Sequence, residues 1–195
     1  SLEILRWLLD QGVKAVVVAC NTSTAHALRA LQEATPVPVL GVIKPGARAA
    51  ISAGGQGPVG VIGTAGTIGS GAYQRAINAL APEIEVVQRA CPLFVPLVEE
   101  GWFDHPATGL IVESYLADLR RACVRSLVLG CTHYPLLKPM IQRVMGAEVK
   151  LIDSGEATAA GLETILVLTG VTTREMTERY PFLDVHGLVG PNEIP

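Results

Sequence analysis

Two cysteines occupy matched positions in this chain, where thiol chemistry could act on a carbon acid. The segments read Val-Val-Val-Ala-Cys20-Asn-Thr and Leu-Val-Leu-Gly-Cys131-Thr-His. In each, an apolar run typical of a strand ends at a cysteine, and polar residues typical of a helix start follow. Backbone N–H groups and the dipole at a helix N-terminus favour a thiolate. Two such thiols could take a proton from one face of a carbon and return one to the other.

The residues after each cysteine allow two interpretations. Asn21 and Thr22 could cap the first helix, and the same donors suit a carboxylate, so capping and binding need not compete. At the second cysteine, Thr132 is a cap candidate, and His133 could be a capping or surface histidine. Beside a reactive thiol, His133 could instead act as the acid or base that adjusts the thiol's charge.

Two further segments carry candidate polar groups. The segment 60–68 follows a predicted strand and opens a helix with the hydroxyls of Thr64 and Thr67. It lacks the Gly-Lys-Ser/Thr element of a phosphate loop, so carboxylate binding and ordinary turn chemistry both remain open. Glu99 and Glu100 end an apolar stretch just before a glycine, a pattern that usually marks a solvated helix end.

Short β-branched runs alternate with helical patterns along the chain. The predicted strands are 15–19, 37–42, 59–62, 84–88, 126–130 and 148–152. Unbroken apolar strands between helices indicate a parallel sheet covered on both faces, hence an α/β fold. The repeated strand-cysteine-helix unit predicts two similar parallel-sheet domains that face one cleft, of which the first is incomplete.

Two segments are predicted to cross between these domains. Val42–Gly46 is interpreted as a linker, and Asp153–Gly155 as the second crossing. The middle domain would then comprise residues 44–152. The outer domain would be discontinuous, built from 1–43 with 153–195.

The composition of the chain argues against several classes of protein. The 195 residues carry a formal charge of −3 with scattered basic residues, which argues against nucleic acid as a partner. No apolar run reaches the roughly 18 residues of a membrane helix, so a cytoplasmic protein is expected. The four cysteines form no Cys-x-x-Cys pair, so reduced thiols and no metal site are expected. Cys91 and Cys123 lack the strand-to-helix setting and are interpreted as structural.

Five segments together resemble the glutamate racemase family. They are Val-Val-Ala-Cys20-Asn-Thr-Ser-Thr-Ala, Gly41-Val-Ile-Lys-Pro-Gly-Ala-Arg-Ala-Ala, Gly60-Val-Ile-Gly-Thr-Ala-Gly-Thr-Ile, Ala90-Cys-Pro-Leu-Phe-Val-Pro-Leu-Val-Glu99 and Leu-Gly-Cys131-Thr-His-Tyr-Pro. The likeness spans residues 1–157. The related aspartate racemases usually carry Cys-Thr-Glu at the second cysteine, so Thr132 followed by His133 favours glutamate.

The resemblance implies a two-base mechanism with no cofactor and no metal, in which L-glutamate is converted to D-glutamate for peptidoglycan. It implies that Cys20 and Cys131 are the acid/base pair, that His133 tunes Cys131, and that Glu99 is the carboxylate near that thiol. The positions that match substrate-holding residues are Asn21, Thr22, Thr64, Thr67, Thr132 and His133. The expected partner is glutamate as a small-molecule substrate, without nucleic acid or membrane, and a homodimer is left open.

Both ends of the chain depart from the family pattern. The family opens with a strand and an Asp-Ser-Gly loop that would precede Ser1, so we expect an N-terminally truncated chain that is inactive or weak. Residues 161–181 look more like the closing segment of a haloacid-dehalogenase-type phosphatase, although a strand at 164–168 could complete the outer domain. The alternatives are a non-catalytic remnant that only binds and a racemase acting on aspartate. A phosphatase is disfavoured because the chain lacks an Asp-x-Asp nucleophile.

Overall fold

Strands and helices alternate along the chain. The computed structural model describes the backbone of residues 1–168 and the side chains of residues 1–161. The strands are β1 (Val16–Val18), β2 (Val39–Gly41), β3 (Val59–Gly63), β4 (Val86–Ala90), β5 (Ser126–Gly130) and β6 (Lys150–Asp153). The helices are α1 (Leu2–Asp10), α2 (Asn21–Glu33), α3 (Ile43–Gly54), α4 (Ala65–Gly69), α5 (Ala72–Asn78), α6 (Phe94–Glu99), α7 (Pro106–Arg121), α8 (Lys138–Met145) and α9 (Ser154–Leu168).

The strands form two parallel sheets, which confirms the predicted α/β fold. β1 pairs with β2, and the larger sheet has the order β4-β3-β5-β6. All pairings are parallel, with Gly63 opposite both Ala90 and Gly130. Every residue of β3 and of β5 is buried, as expected for central strands covered by helices on both faces. All six predicted strands are present; β5 has the predicted bounds, and the bounds of the others differ by at most two residues.

The core of the larger sheet lies in two layers, because alternate strand residues point to opposite faces. Ile62 and Leu127 pack with α7 and α8 on one face. Val61 and Val128 pack with α3 and α5 on the other. The small sheet has its own cluster, in which Leu5 of α1 meets α2 and β2. The helices on both faces hold the strands in place and leave the carboxyl ends of the strands accessible at one edge of the sheet.

The predicted linker at Val42–Gly46 is wrong. Its residues from Ile43 onward form the first turn of α3, in which Ile43 and Gly46 are buried. α3 packs against α5, α9 and β6, so this segment belongs to a packed layer. Pro45 lies in the first turn, where its missing N–H has no intrahelical partner to lose, so the Lys-Pro-Gly sequence does not break the helix.

The expected strand at 164–168 is also wrong, because α9 runs unbroken from Ser154 to Leu168. Asp153 supports the start of this helix, since its Oδ1 accepts hydrogen bonds from the backbone of Gly155 at 2.8 Å and Glu156 at 3.2 Å. The stretch from 156 to 168 contains no proline to stop the helix. The phosphatase-like likeness falls on 161–181, most of which lies outside the described residues, and the domain boundaries stay a prediction.

The helices that follow the two cysteines do not begin as the sequence predicts, and they begin differently from each other. Cys20 itself is the N-cap of α2, because its Sγ accepts the N–H of Ser23 at 3.4 Å. The polar residues from Asn21 onward already lie in the helix. After Cys131, a 3-10 turn (Tyr134–Leu137) precedes α8. Pro139 lies at the second position of α8 and cannot continue a preceding helix, which explains the separate turn.

Two properties of the described residues bear on the kind of protein this is. Within the described residues, none of the helices is both long and apolar enough to cross a membrane. All four cysteines lie within this part and carry free thiols.

We expect Gly130→Ala to destabilise the fold by about 1–3 kcal/mol, the usual cost of forcing atoms into a packed core. A Cβ at this position would lie 2.6 Å from the carbonyl oxygen of Ile62, and backbone cannot move aside as a flexible side chain can. Urea unfolding measures the change. The matched control is Gly69→Ala at the end of α4, where a Cβ meets nothing within 4 Å. Equal stability of the two variants would contradict the close approach of β3 and β5.

Candidate functional site

The carboxyl ends of β1, β3 and β5 carry the predicted site residues. Cys20 follows β1, Thr64 follows β3 and Cys131 follows β5. Ligand sites of parallel α/β sheets lie at this end, where helix N-termini present free N–H donors. The sequence prediction that both cysteines lie at strand-to-helix junctions is confirmed, although the junctions differ in detail.

Cys20 is exposed and carries a thiol that ionises easily. Partial burial raises its pKa, but hydrogen bonds from the backbone and side chains of Ser23 and Thr22 outweigh that effect, so the pKa lies below its ordinary value. The donors belong to the first turn of α2. Cys20 is therefore the thiol that more readily supplies a thiolate.

Cys131 is 8% exposed and is backed by a histidine and a carboxylate. Its Sγ lies 3.8 Å from Nδ1 of His133, whose Nε2 lies 3.3 Å from Oε1 of Glu99. The contact with Glu99 orients the ring so that Nδ1 faces the thiol. Glu99 ends α6 and is largely exposed, as predicted for a helix end, yet it also reaches the histidine.

The pKa of Cys131 shifts in the opposite direction. Burial raises it, and a charge on Cys20 raises it further, while donors from His133, Tyr134 and Thr132 only partly offset these effects. The two thiols therefore depart from the ordinary value in opposite directions: Cys20 ionises more easily than an ordinary thiol, and Cys131 less easily.

Three threonine hydroxyls form a cluster between the sheets. Oγ1 of Thr22 lies 2.9 Å from Oγ1 of Thr64 and 2.9 Å from that of Thr67, and these last two are 3.1 Å apart. Thr64 also caps α4 by accepting the N–H of Thr67 at 3.1 Å. Beside them, His26 on α2 lies 3.0 Å from the carbonyl oxygen of Gly66, so α2 and α4 meet directly. Rotatable hydroxyls at a helix start can turn to donate to a carboxylate.

Asn21 is engaged by two residues that the sequence did not indicate. Its Oδ1 accepts a hydrogen bond from the hydroxyl of Tyr73 at 2.6 Å, and its Nδ2 donates to Oγ of Ser154 at 3.1 Å. All three side chains are buried. Tyr73 carries no motif that marks it. Ser154 lies in the segment interpreted as a crossing, and its adjacency to a strand end was the available signal.

The two other cysteines lie away from this site, whereas Thr132 lies within it. Cys91 is fully buried, and burial raises its pKa to about 12, as expected of a structural cysteine. Cys123 is exposed between α7 and the amino end of β5, with φ of 51°. Thr132 is exposed beside Cys131. Among the residues that the structure describes, no group of three or more His, Cys, Asp or Glu could hold a metal ion.

Known proteins share this sequence over most of its length. The family model for Asp/Glu/Hydantoin racemase matches residues 1–162. A glutamate racemase of Geobacter metallireducens is 57% identical over 166 residues, which cover 85% of this chain and 62% of that protein. The chain thus spans somewhat under two thirds of the length of this curated relative.

Solved structures share the fold as well. A glutamate racemase isoform of Bacillus anthracis has a TM-score of 0.84 and 43% identity, covering 89% of this chain and 65% of that one. A glutamate racemase of Francisella tularensis, solved in complex with D-glutamate, has a TM-score of 0.79 and 36% identity, covering 87% and 63%. The strand-end cysteines, the matching family model and these similarities lead to one conclusion: the chain belongs to the Asp/Glu/Hydantoin racemase family.

Proposed function

We propose that this chain carries the two-thiol centre of a glutamate racemase, which interconverts L- and D-glutamate. The observation that carries the proposal is the pair of strand-end thiols with pKa values shifted in opposite directions, Cys20 downward and Cys131 upward. A two-base reaction needs one base and one acid at the same moment, and a thiol that ionises easily paired with one that ionises less easily suits these two roles.

The proposed step moves one proton at each face of the substrate. The thiolate of Cys20 takes the Cα proton, and the electron pair of that C–H bond remains on carbon, delocalised into the carboxyl group. The thiol of Cys131 gives its proton to the opposite face, which leaves Cys20 as a thiol and Cys131 as a thiolate. The reverse direction starts from that second state. His133, whose Nδ1 lies 3.8 Å from Sγ of Cys131, can accept a hydrogen bond from the thiol or donate one to the thiolate, and Glu99 holds its ring.

The hydroxyls of Thr22, Thr64 and Thr67 are the proposed binding groups for a substrate carboxylate. Their mutual hydrogen bonds of 2.9–3.1 Å keep them together, and each can rotate to face an anion. Thr132 and Asn21 flank the two thiols at the same strand ends. Fixed donors near the reacting carbon stabilise charge as it develops on the carboxyl group, which matters because this carbon acid is weak.

Glutamate is proposed over aspartate on two grounds. The second cysteine is followed by Thr132 and His133, as in the glutamate-specific pattern. Relatives that are 57% and 48% identical to this chain are named glutamate racemases. The reaction needs no cofactor in this scheme, and the D-glutamate formed would supply peptidoglycan.

In D₂O, we expect the chain to catalyse exchange of the Cα hydrogen of L- and D-glutamate for deuterium. We expect this exchange to require both thiols. Cys20→Ala and Cys131→Ala should each reduce the exchange by a factor on the order of 10² or more, since each removes an acid/base group. Proton NMR of the Cα signal measures the exchange. The comparison needs only a measurable rate in the unmodified chain.

Cys123→Ala is the matched control, because it removes an exposed thiol that lies outside the site. It should exchange like the unmodified chain. Exchange no faster than in protein-free buffer would contradict the proposal and favour a remnant that only binds. Faster exchange of aspartate than of glutamate would instead favour the aspartate alternative.

We expect kcat/KM for glutamate to follow a bell-shaped pH profile with the same limbs in both directions. Its acid limb should lie below the ordinary thiol pKa of roughly 8.5, because Cys20 must be a thiolate, and its alkaline limb above it, because Cys131 must be a thiol. The reverse direction needs the opposite arrangement, which has the same net charge, so pH cannot favour one over the other. Limbs that differ between L- and D-glutamate would contradict this scheme.

A further inference from the structure

A buried hydrogen-bond network joins the start of α2 to the larger sheet. The hydroxyl of Tyr73 donates to Oδ1 of Asn21 at 2.6 Å, and Nδ2 of Asn21 donates to Oγ of Ser154 at 3.1 Å. All three residues are buried: Tyr73 is 1% exposed, Asn21 is 2% exposed and Ser154 is 3% exposed. They belong to α5, α2 and α9, so the network connects a helix of the small sheet to two helices of the large one.

The helix α3 leaves room for this network. Gly46 lies in that helix, although glycine has a lower helix propensity than alanine. A Cβ at Gly46 would lie 3.1 Å from the hydroxyl of Tyr73 and 3.2 Å from Cβ of Ser154, which is tighter than ordinary van der Waals contact. The glycine thus lets Tyr73 and Ser154 reach Asn21.

Both partners of Asn21 are themselves held in place. Tyr73 is fixed in the core with Ile77 on α5. Ser154 begins α9, directly after Asp153, whose carboxylate accepts two backbone N–H groups of that helix and lies 3.3 Å from Nζ of Lys138. The Asn21 carboxamide therefore meets one fixed donor and one fixed acceptor.

Asn21 is the first residue of α2 and the direct neighbour of Cys20. The next two residues, Thr22 and Ser23, provide the hydrogen bonds to the Cys20 sulfur. Anchoring Asn21 thus also anchors the turn that carries these donors. A first helical turn without such an anchor frays, because its N–H groups lack intrahelical partners.

We propose that Tyr73 and Ser154 are positioning residues, which hold the Asn21 carboxamide and through it keep Cys20 and its hydrogen-bond donors in register with the Cys131 side of the site. Neither residue is required to touch the substrate. The kinetic consequence rests on the proposed racemase function, whereas the effect on the Cys20 thiol does not.

The test compares Tyr73→Phe with the unmodified chain. This change keeps the ring in the core and removes only the hydroxyl that orients Asn21. We expect the pH midpoint of Cys20 alkylation by iodoacetamide, followed by mass spectrometry of the Cys20 peptide, to rise by about half a unit or more, a threefold or larger change in ionisation. The midpoint of Cys131 alkylation should change less, because its donors lie on the other sheet and only the charge of Cys20 links it to the change.

Ser154→Ala is the second variant, and it should shift the Cys20 midpoint in the same direction. It also carries the test should Tyr73→Phe fail to fold. The matched controls remove equally buried hydroxyls elsewhere: Tyr134→Phe, whose hydroxyl donates to the carbonyl of Cys91 at 2.8 Å, and Ser126→Ala, whose hydroxyl donates to the carbonyl of Ala50 at 2.8 Å. Both controls should leave the Cys20 midpoint at its normal value.

A merely structural role predicts a different pattern. Tyr73→Phe and Tyr134→Phe would then lower stability alike and leave the Cys20 midpoint unchanged, which would overturn the inference. In deuterium exchange with glutamate, we expect Tyr73→Phe to lower kcat about tenfold with KM within about twofold, as misplacement of a reacting group does. A midpoint shift without any glutamate exchange in the unmodified chain would contradict the proposed function and leave this inference intact.

Discussion

The candidate site depends on the contact between the N-terminus of α2 and the larger sheet. Cys20 follows a strand of the small sheet and Cys131 a strand of the large one, so their separation is set by how the sheets meet. That contact is polar: Asn21 is buried between Tyr73 and Ser154, and Thr22 lies against Thr64. Hydrogen bonds depend on direction more strongly than apolar contacts do, so they fix an orientation as well as a distance.

Electrostatics then differentiates two thiols that the sequence presents as equivalent. Cys20 is exposed and surrounded by donors, whereas Cys131 is buried and lies near the charge of Cys20. Burial disfavours the charged form, and donors favour it, so the balance of the two effects moves the two pKa values in opposite directions. The fold thus gives one kind of side chain two different tendencies to ionise, without a difference in residue type.

The fold follows from the pattern of the chain to a large extent. Apolar β-branched runs between helical patterns predicted all six strands and the parallel arrangement, because only strands buried on both faces tolerate such runs. The predictions from local sequence were wrong at two places where tertiary packing decides the backbone conformation. Lys44-Pro45-Gly46 reads as a turn, yet α3 accommodates the proline in its first turn and uses the glycine for close approach. The apolar run at 164–168 reads as a strand, but it continues a helix that started ten residues earlier.

The sequence by itself determined which residues are the candidates for the chemistry. The duplicated strand-cysteine unit singled out Cys20 and Cys131, and the short spacing from Cys131 to His133 made their contact a local matter. Only the tertiary structure decided the partners of Asn21, because Tyr73 and Ser154 are separated from it by 52 and 133 positions and carry no local signal. It also decided the difference between the two thiols, since burial and the charge of a distant residue depend on how the two sheets pack, which no single segment specifies.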